Sequence, residues 1–190
     1  MQTKLHRYIL TLLTALFFTT GVQAQKLAIN TDLAMDAMML PNLGMEITCG
    51  EKNTFSFNVI GGYKPWWSKE GHAFGMQPEY RWYFSSRPMN RWFAGIGGLI
   101  GYYDLTISSK VYNGLTYGAG LTFGYVWKLS SRLNLDFHGG FGLIGYNRKE
   151  YYVGDNYDVD YTVGDEVKTN ATGTYLLPTR VGISLTYIIK

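Results

Sequence analysis

Six ionisable side chains stand within stretches of the chain that are otherwise apolar, aromatic or rich in glycine. They are Glu46, Glu79, Arg81, Asp136, His138 and Arg180, with Asp32 as a further candidate for the same set. Buried charges have to be paired, so we expect these side chains to form a structural network of ion pairs inside the protein. The functional alternative is a path for protons or small ions, which intramembrane ionisable residues can mark.

Asp136 and His138 are the pair in this set that suggests catalysis, because residues two apart on a strand share one face. No serine or cysteine stands beside them in a recognisable nucleophile motif. We therefore predict no catalytic residues and no enzymatic activity. A barrel enzyme with an active site on top of its outer loops is the alternative.

Metal chemistry is not predicted either. The three histidines belong to different regions of the chain, and Cys49 is the single cysteine. One cysteine excludes an internal disulfide and any cysteine-based zinc cluster. We expect no metal site and no cofactor.

Strands would position the ionisable residues. In residues 114–127, GLTYGAGLTFGYVW, rings and large apolar side chains alternate with threonine and glycine. Similar alternation runs through 74–84, 133–143 and 179–189, where the ionisable residues share the minor face with Gly, Ser and Thr. A half-buried soluble strand would show polar residues opposite the apolar ones, and clustered glycines indicate a space with little room. In residues 91–103 the alternation does not show which side chains share which face.

Turn signals divide the chain after residue 24 into eight runs of strand length. The predicted strands lie near residues 26–36, 42–49, 54–63, 74–84, 91–103, 115–127, 133–146 and 175–189. The connections alternate between short turns and longer loops, and residues 104–114 are predicted to form one of the longer loops. This alternation of connections is typical of membrane β-barrels.

Aromatic residues cluster near both ends of these runs. The predicted belt residues are Trp66, Trp67, Trp82, Trp92, Tyr117, Tyr125 and Trp127. Bilayer interfaces select two such belts around an apolar band. We therefore predict an all-β fold, an eight-stranded antiparallel up-and-down transmembrane β-barrel, with its rings toward lipid and its small and charged residues in a narrow lumen.

The N-terminus predicts the compartment. Lys4 and Arg7 precede an apolar stretch, which is followed by small residues that fit a cleavage site after Ala24. We expect a cleaved signal peptide over residues 1–24 and one outer-membrane β-barrel domain over residues 25–190. Only 16% of the residues are charged, against about 25% in typical soluble domains. The net charge of +3 comes without a dense basic run, so no nucleic-acid partner is predicted.

Several segments together resemble a known family. They are DLAMDAMMLPNLGMEI (32–47), GGYKPWW (61–67), MQPEYRWYF (76–84), AGIGGLIGYY (94–103), residues 117–143 and GISLTYIIK (182–190). These segments are similar to small Bacteroidales outer-membrane barrels of unknown function. The resemblance covers essentially the whole mature chain. It implies an eight-stranded outer-membrane barrel whose relatives often lie near fimbrial or adhesin genes, and it supplies no catalytic residues.

The segment 147–174 is the longest predicted loop and the main candidate for recognition. Its candidate contact residues are Tyr151, Tyr152, Asp155, Asp158 and Asp160. Tyrosine is enriched where proteins contact partners, whereas a solvated loop without a partner is the simpler alternative. The acidic residues offer the oxygen ligands that calcium prefers, without the spacing of an EF-hand.

These observations predict a monomeric, non-enzymatic protein of the outer membrane that contacts lipid and displays its outer loops. Fimbrial or adhesin assembly proteins are the candidate partners, and support of envelope integrity is a candidate role. A periplasmic lipocalin-like binder of a small apolar ligand is the alternative outside the membrane. That alternative would place the large residues inside and gives no reason for two aromatic belts.

Overall fold

The structure, a computed structural model, describes residues 26–65, 68–154, 162–163, 166–167 and 171–189. Several predictions fall on other parts of the chain. The signal peptide at 1–24, the belt residues Trp66 and Trp67, and the loop residues Asp155, Asp158 and Asp160 lie outside the described residues.

Eight antiparallel strands form one closed barrel in which each strand pairs with its neighbours in an up-and-down order. A ninth and a tenth strand segment form a separate two-stranded pair. This architecture confirms the predicted all-β, eight-stranded antiparallel up-and-down fold. The barrel strands are β1 (Leu27–Asp32), β2 (Asn42–Thr48), β3 (Asn53–Tyr63), β4 (Glu70–Tyr83), β5 (Arg91–Ile107), β6 (Lys110–Lys128), β7 (Leu133–Tyr152) and β10 (Ala171–Ile188), and the separate pair is β8 (Thr162–Val163) and β9 (Glu166–Val167).

The barrel closes where its first and last strands meet. β1 pairs with β10 from Ala28↔Ile188 to Asp32↔Ser184. The ends of β2, β4 and β6 are joined to their following strands by short turns, and both termini of the barrel lie at this same end. We call it the turn end, and we call the opposite end the loop end.

Alternation along the strands separates two very different surfaces. On β6, Leu121 and Phe123 are 58% and 59% exposed on the outer wall, whereas Thr122 between them is 2% exposed. A strand directs successive side chains to opposite faces, so one period-2 pattern produces an apolar exterior and a buried polar interior. The rings of residues 114–127 face outward, and the small residues between them face the interior.

β5 shows which residues of 91–103 face inward and which face outward. Trp92 is 61% exposed on the outer wall, and Phe93 is 1% exposed in the interior. Phe93 packs there against Tyr83, with 5.4 Å between the ring centroids, and Val126 completes this small apolar cluster. An aromatic side chain therefore occupies the interior face near the turn end.

The first strand is shorter than predicted. β1 ends at Asp32, where a five-residue helix, α1 (Leu33–Ala37), begins. The Asp32 carboxylate accepts hydrogen bonds from the backbone N–H groups of Ala34 and Met35 at 3.0 and 3.3 Å. Aspartate is a favoured N-cap because it satisfies these otherwise unpaired donors. The predicted strand over 26–36 was wrong beyond this cap.

The predicted loop at 104–114 was also wrong. β5 and β6 continue pairing to Ile107↔Lys110, so only Ser108 and Ser109 form the turn. Both serines have positive φ, 49° and 75°, as a two-residue hairpin turn of type I′ requires. The β5–β6 hairpin therefore extends as a tight ladder at the loop end.

The chain contains no helix, within the part that the structure describes, that is long and apolar enough to cross a membrane.

The packing of the interior predicts a sharp difference between two glycines. A Cβ at Gly44 would collide with the side-chain amides of Asn30 and Asn58, whereas a Cβ at Gly139 would meet nothing within 4 Å. We expect Gly44→Ala to lower the free energy of unfolding by about 1–3 kcal/mol, the usual cost of overpacking. Gly139→Ala is the matched control and should leave it nearly unchanged. Urea titration followed by tryptophan fluorescence measures both, and equal midpoints would contradict this account of the interior.

Candidate functional site

Arg81 on β4 is the centre of the charged interior. Its guanidinium donates to Asp136 at 2.6 Å, to Glu79 at 2.9 Å and to Glu46 at 3.4 Å. The Phe93 ring lies against the guanidinium carbon, 4.4 Å from the ring centroid. Arg81 is 1% exposed, and each of the three carboxylates is 2% exposed. A single cation thus joins carboxylates from three strands in a site shielded from water.

The carboxylates of Glu46 and Glu79 have hydroxyl partners as well. Glu46 accepts from Thr54 at 2.6 Å and from the phenol of Tyr83 at 2.8 Å. Glu79 accepts from Thr122 on β6. Hydrogen bonds to ionised groups are among the stronger ones in proteins, and here they satisfy oxygens that Arg81 cannot reach.

Arg180 on β10 supplies the second cation. Its guanidinium donates to Glu79 at 2.5 Å. With the side-chain amide of Asn58 oriented by its hydrogen-bond partners, the amide oxygen accepts from Arg180 at 2.8 Å and the amide nitrogen donates to Asn30 at 2.8 Å. Glu79 therefore links the two arginines, and the network extends from β2 to β10.

His138 connects this network to the helix at the loop end. Its Nε2 lies 3.1 Å from an oxygen of Asp32, and its Nδ1 lies 3.7 Å from Asp136. Asp32 uses its other oxygen to cap α1. The imidazole therefore lies between two carboxylates, in hydrogen-bond distance of Asp32 and further from Asp136.

The interior carries more acidic than basic groups. Its carboxylates are Asp32, Glu46, Glu79 and Asp136, and its arginines are Arg81 and Arg180. A cavity of about 10 Å³ lies beside Glu79, Thr122 and Arg180, which is room for about one water molecule. The site can hold charge in fixed positions, and this cavity is too small to admit an organic substrate.

The structure brings together all six residues predicted for the lumen, and Asp32, the further candidate, lies against His138. The hydroxyl, aromatic and amide partners of the network were missed: Thr54, Asn58, Tyr83, Phe93 and Thr122. Minor-face parity offered a signal for Tyr83 and Thr122, because both alternate with outward-facing large apolar or aromatic residues. Which of these side chains meet depends on pairing between distant strands, which the sequence does not display.

The described belt residues lie on the outer wall. Trp82, Trp92, Trp127 and Tyr117 are 43%, 61%, 57% and 51% exposed. Trp92 and Tyr125 form an edge-to-face pair on neighbouring strands, with 4.9 Å between centroids. All but Tyr117 stand near the turn end, on β4, β5 and β6.

Two of the residues predicted for the recognition loop belong to a strand instead. Tyr151 and Tyr152 form the last pairs of β7 with β6, opposite Val111 and Lys110. The adjacent Glu150 makes ion pairs with Lys110 and, at 3.4 Å, with Arg148. The rim of the barrel at the loop end is therefore an ordered charged and aromatic surface.

No cluster of three or more His, Cys, Asp or Glu side chains in the described ranges is arranged to hold a metal ion. Cys49 is a free, exposed thiol near the turn end.

The fold and the site define a class of protein, an eight-stranded antiparallel barrel with an apolar outer wall and a charged, tightly packed interior. The family model described as "Protein of unknown function (DUF3575)" matches residues 9–189. The chain therefore belongs to this family. Comparisons with curated proteins and with solved structures gave no significant match.

The central position of Arg81 generates a prediction about stability. Arg81→Met keeps most of the side-chain volume and leaves three buried carboxylates without their shared cation. Breaking a buried ion pair in this way costs about 3–5 kcal/mol of unfolding free energy. Arg132→Met, at an exposed turn position, is the control and should change it little.

A combined variant separates lost charge pairing from lost packing. Adding Glu46→Gln and Asp136→Asn to Arg81→Met neutralises the two carboxylates whose arginine partner is Arg81 alone, so it should recover part of the lost stability. Urea midpoints that are the same for Arg81→Met and Arg132→Met would show that the network does not stabilise the barrel.

Proposed function

We propose that this chain is a non-enzymatic outer-membrane protein whose barrel anchors and displays the segments at its loop end. The observation that carries the proposal is the inverted distribution of polarity. Large apolar side chains cover the outer wall, while charged side chains are sealed inside. Soluble monomers rarely expose continuous apolar surface on this scale, and a bilayer is the solvent that such a surface fits.

Backbone chemistry supports the same proposal. A closed barrel satisfies the backbone hydrogen bonds of its paired strands within the sheet, which hydrocarbon requires of any spanning structure. The exposed row of Trp82, Trp92 and Trp127 at the turn end has the composition of an interfacial belt. These features favour a membrane over the periplasmic ligand binder, whose interior would be apolar and open.

The loop end supports display. Its long hairpins place Tyr152, Lys110 and Arg148 on an ordered rim, and the segment 155–170 connects β7 to β10 from that rim. We propose that this end faces the cell exterior and contacts a partner. The family resemblance makes fimbrial or adhesin assembly the first process to examine, with envelope integrity as the second.

The membrane proposal predicts how the protein fractionates. It should sediment with the outer membrane, and its electrophoretic mobility in detergent should shift when the sample is heated, because closed barrels resist detergent until they unfold. A periplasmic maltose-binding protein analysed in the same cells is a control for soluble material. Recovery of the chain in the soluble periplasmic fraction without detergent would contradict the proposal.

The display proposal predicts which end an external protease reaches. The same protease recognition sequence is inserted in two matched variants, one after Gly154 at the loop end and one after Ser130 at the turn end. On intact cells, cleavage is expected only after Gly154, because surface loops tolerate insertion and remain accessible. Permeabilised cells should be cleaved at both sites. Cleavage of intact cells only after Ser130 would mean that the orientation is reversed.

A further inference from the structure

In the described part of the chain, β10 has no neighbouring strand along one side of its first half. β1 stops pairing with it at Asp32↔Ser184, because α1 begins at the next residue. On its other side, β7 pairs with β10 all the way to Ala171↔Arg148. Within the described ranges, no strand pairs with residues 171–183 on the β1 side. We call residues 172–178 the β10 edge.

The burial pattern changes where the neighbouring strand ends. From Arg180 to Thr186, inward residues are buried and outward residues are more exposed, as in a closed wall. Residues 174–178 are all exposed instead, with Tyr175, Leu176 and Leu177 at 56%, 60% and 44%. Both faces of this segment are therefore accessible, as expected for the margin of a sheet.

Backbone hydrogen bonds show which groups point to the open side. The N–H of Ile188 donates to Arg132 beside β7, whereas the N–H of Ile189 donates to Leu27 on the β1 side. Successive residues of β10 therefore point their N–H and C=O groups alternately toward β7 and toward the β1 side. The extra residue in the bulge between Pro178 and Arg180 reverses which residues point to which side. In residues 172–178, the backbone groups of Thr172, Thr174 and Leu176 consequently point to the open side.

Pro178 fits this assignment. Its nitrogen falls on the open side, so the absence of an N–H removes no hydrogen bond to β7. Proline within sheets is confined to such edge positions, to bulges and to strand starts. Proline and the bulge also limit the accessible edge to the residues that precede them.

The groups on this edge select the chemistry of a partner. A row of backbone N–H and C=O groups is matched by another extended polypeptide, which adds as a strand. Residues 171–179 carry no charged side chain, so they suit an uncharged segment with apolar residues at the level of Leu176 and Leu177. Acyl chains cannot satisfy these backbone groups.

A second copy of the chain fits the edge less well. Two copies inserted in one membrane, as in the function proposed above, run their β10 strands in the same sense. Strands in small barrels are tilted by about 35–45°, so two such edges would cross rather than align. A separate extended segment has no such restriction. We propose that the β10 edge binds an extended, uncharged segment of a partner protein by strand addition, through the backbone groups of Thr172, Thr174 and Leu176.

A synthetic peptide tests the proposal with the folded full-length chain in detergent micelles. The probe is a fluorescent seven-residue peptide of alternating threonine and valine, and binding is followed by anisotropy. One analogue carries N-methyl groups at all threonines, a second at all valines, and a third at every residue. Strand addition predicts that each singly blocked peptide binds through its remaining edge. The fully methylated peptide should bind about two- to tenfold more weakly for each hydrogen bond lost.

Two variants of the protein provide the matching control. Thr174→Pro removes one N–H from the open side and leaves the β7 ladder in place, so peptide affinity should fall about tenfold. Thr174→Val keeps the N–H and should retain the affinity. Heat-shift electrophoresis verifies that both variants are folded, and the peptide series tests the edge independently if Thr174→Pro is not.

Three results would overturn the proposal. Equal binding of the fully methylated peptide would show apolar adsorption rather than strand pairing. Binding that appears only after residues 155–170 are shortened would show that the chain's own segment occupies the edge. A dimer in analytical ultracentrifugation that the peptide does not dissociate would assign the edge to a second copy. Each result leaves the membrane location, which fractionation tests separately, unaffected.

Discussion

The burial of one guanidinium is the constraint on which the rest of the barrel depends. Arg81 cannot be solvated where it lies, so carboxylates from β2, β4 and β7 have to reach it at once. β2 and β7 stand far apart in the order of strands, and the ion pairs therefore connect distant parts of the wall across the interior. A register slip of one residue would turn Glu46 or Asp136 outward. The charged network thus fixes the alignment of strands that share no hydrogen-bonded ladder.

Asp32 couples this interior to the shape of the barrel. One of its oxygens contacts His138, and the other ends β1 by capping α1. At the same residue β1 ends, and in the described part of the chain no strand pairs with β10 on that side before Ser184. One side chain at the end of a six-residue strand therefore takes part in both the interior network and the boundary of the β10 edge.

Some of these features could be predicted from the sequence and others could not, for physical reasons. Period-2 alternation is local, so the closed eight-stranded sheet, its facing and the six lumen residues could all be predicted. β1 was extended too far because LAMDAMM is as apolar as a strand, and the capping role of Asp32 depends on hydrogen-bond geometry. The turn at Ser108 and Ser109 was missed because asparagine, glycine and serine nearby suggested a longer loop.

Contacts between distant strands could not be predicted at all. The meeting of Arg81 with Phe93, and of Thr122 with Glu79, depends on registers that are set by the whole sheet. Trp92 and Phe93 are adjacent aromatic residues, so aromatic character alone could not show which of the two faces the interior.

The two-residue turn at Ser108–Ser109 has a consequence for how the rim at the loop end would meet other molecules. Because β5 and β6 stay paired to Ile107↔Lys110, the ladder restrains this hairpin up to the turn itself. A flexible loop loses conformational freedom when it is captured, and that loss subtracts from affinity. The hairpin tip avoids most of that entropic loss, so even a small contact area there would be used efficiently.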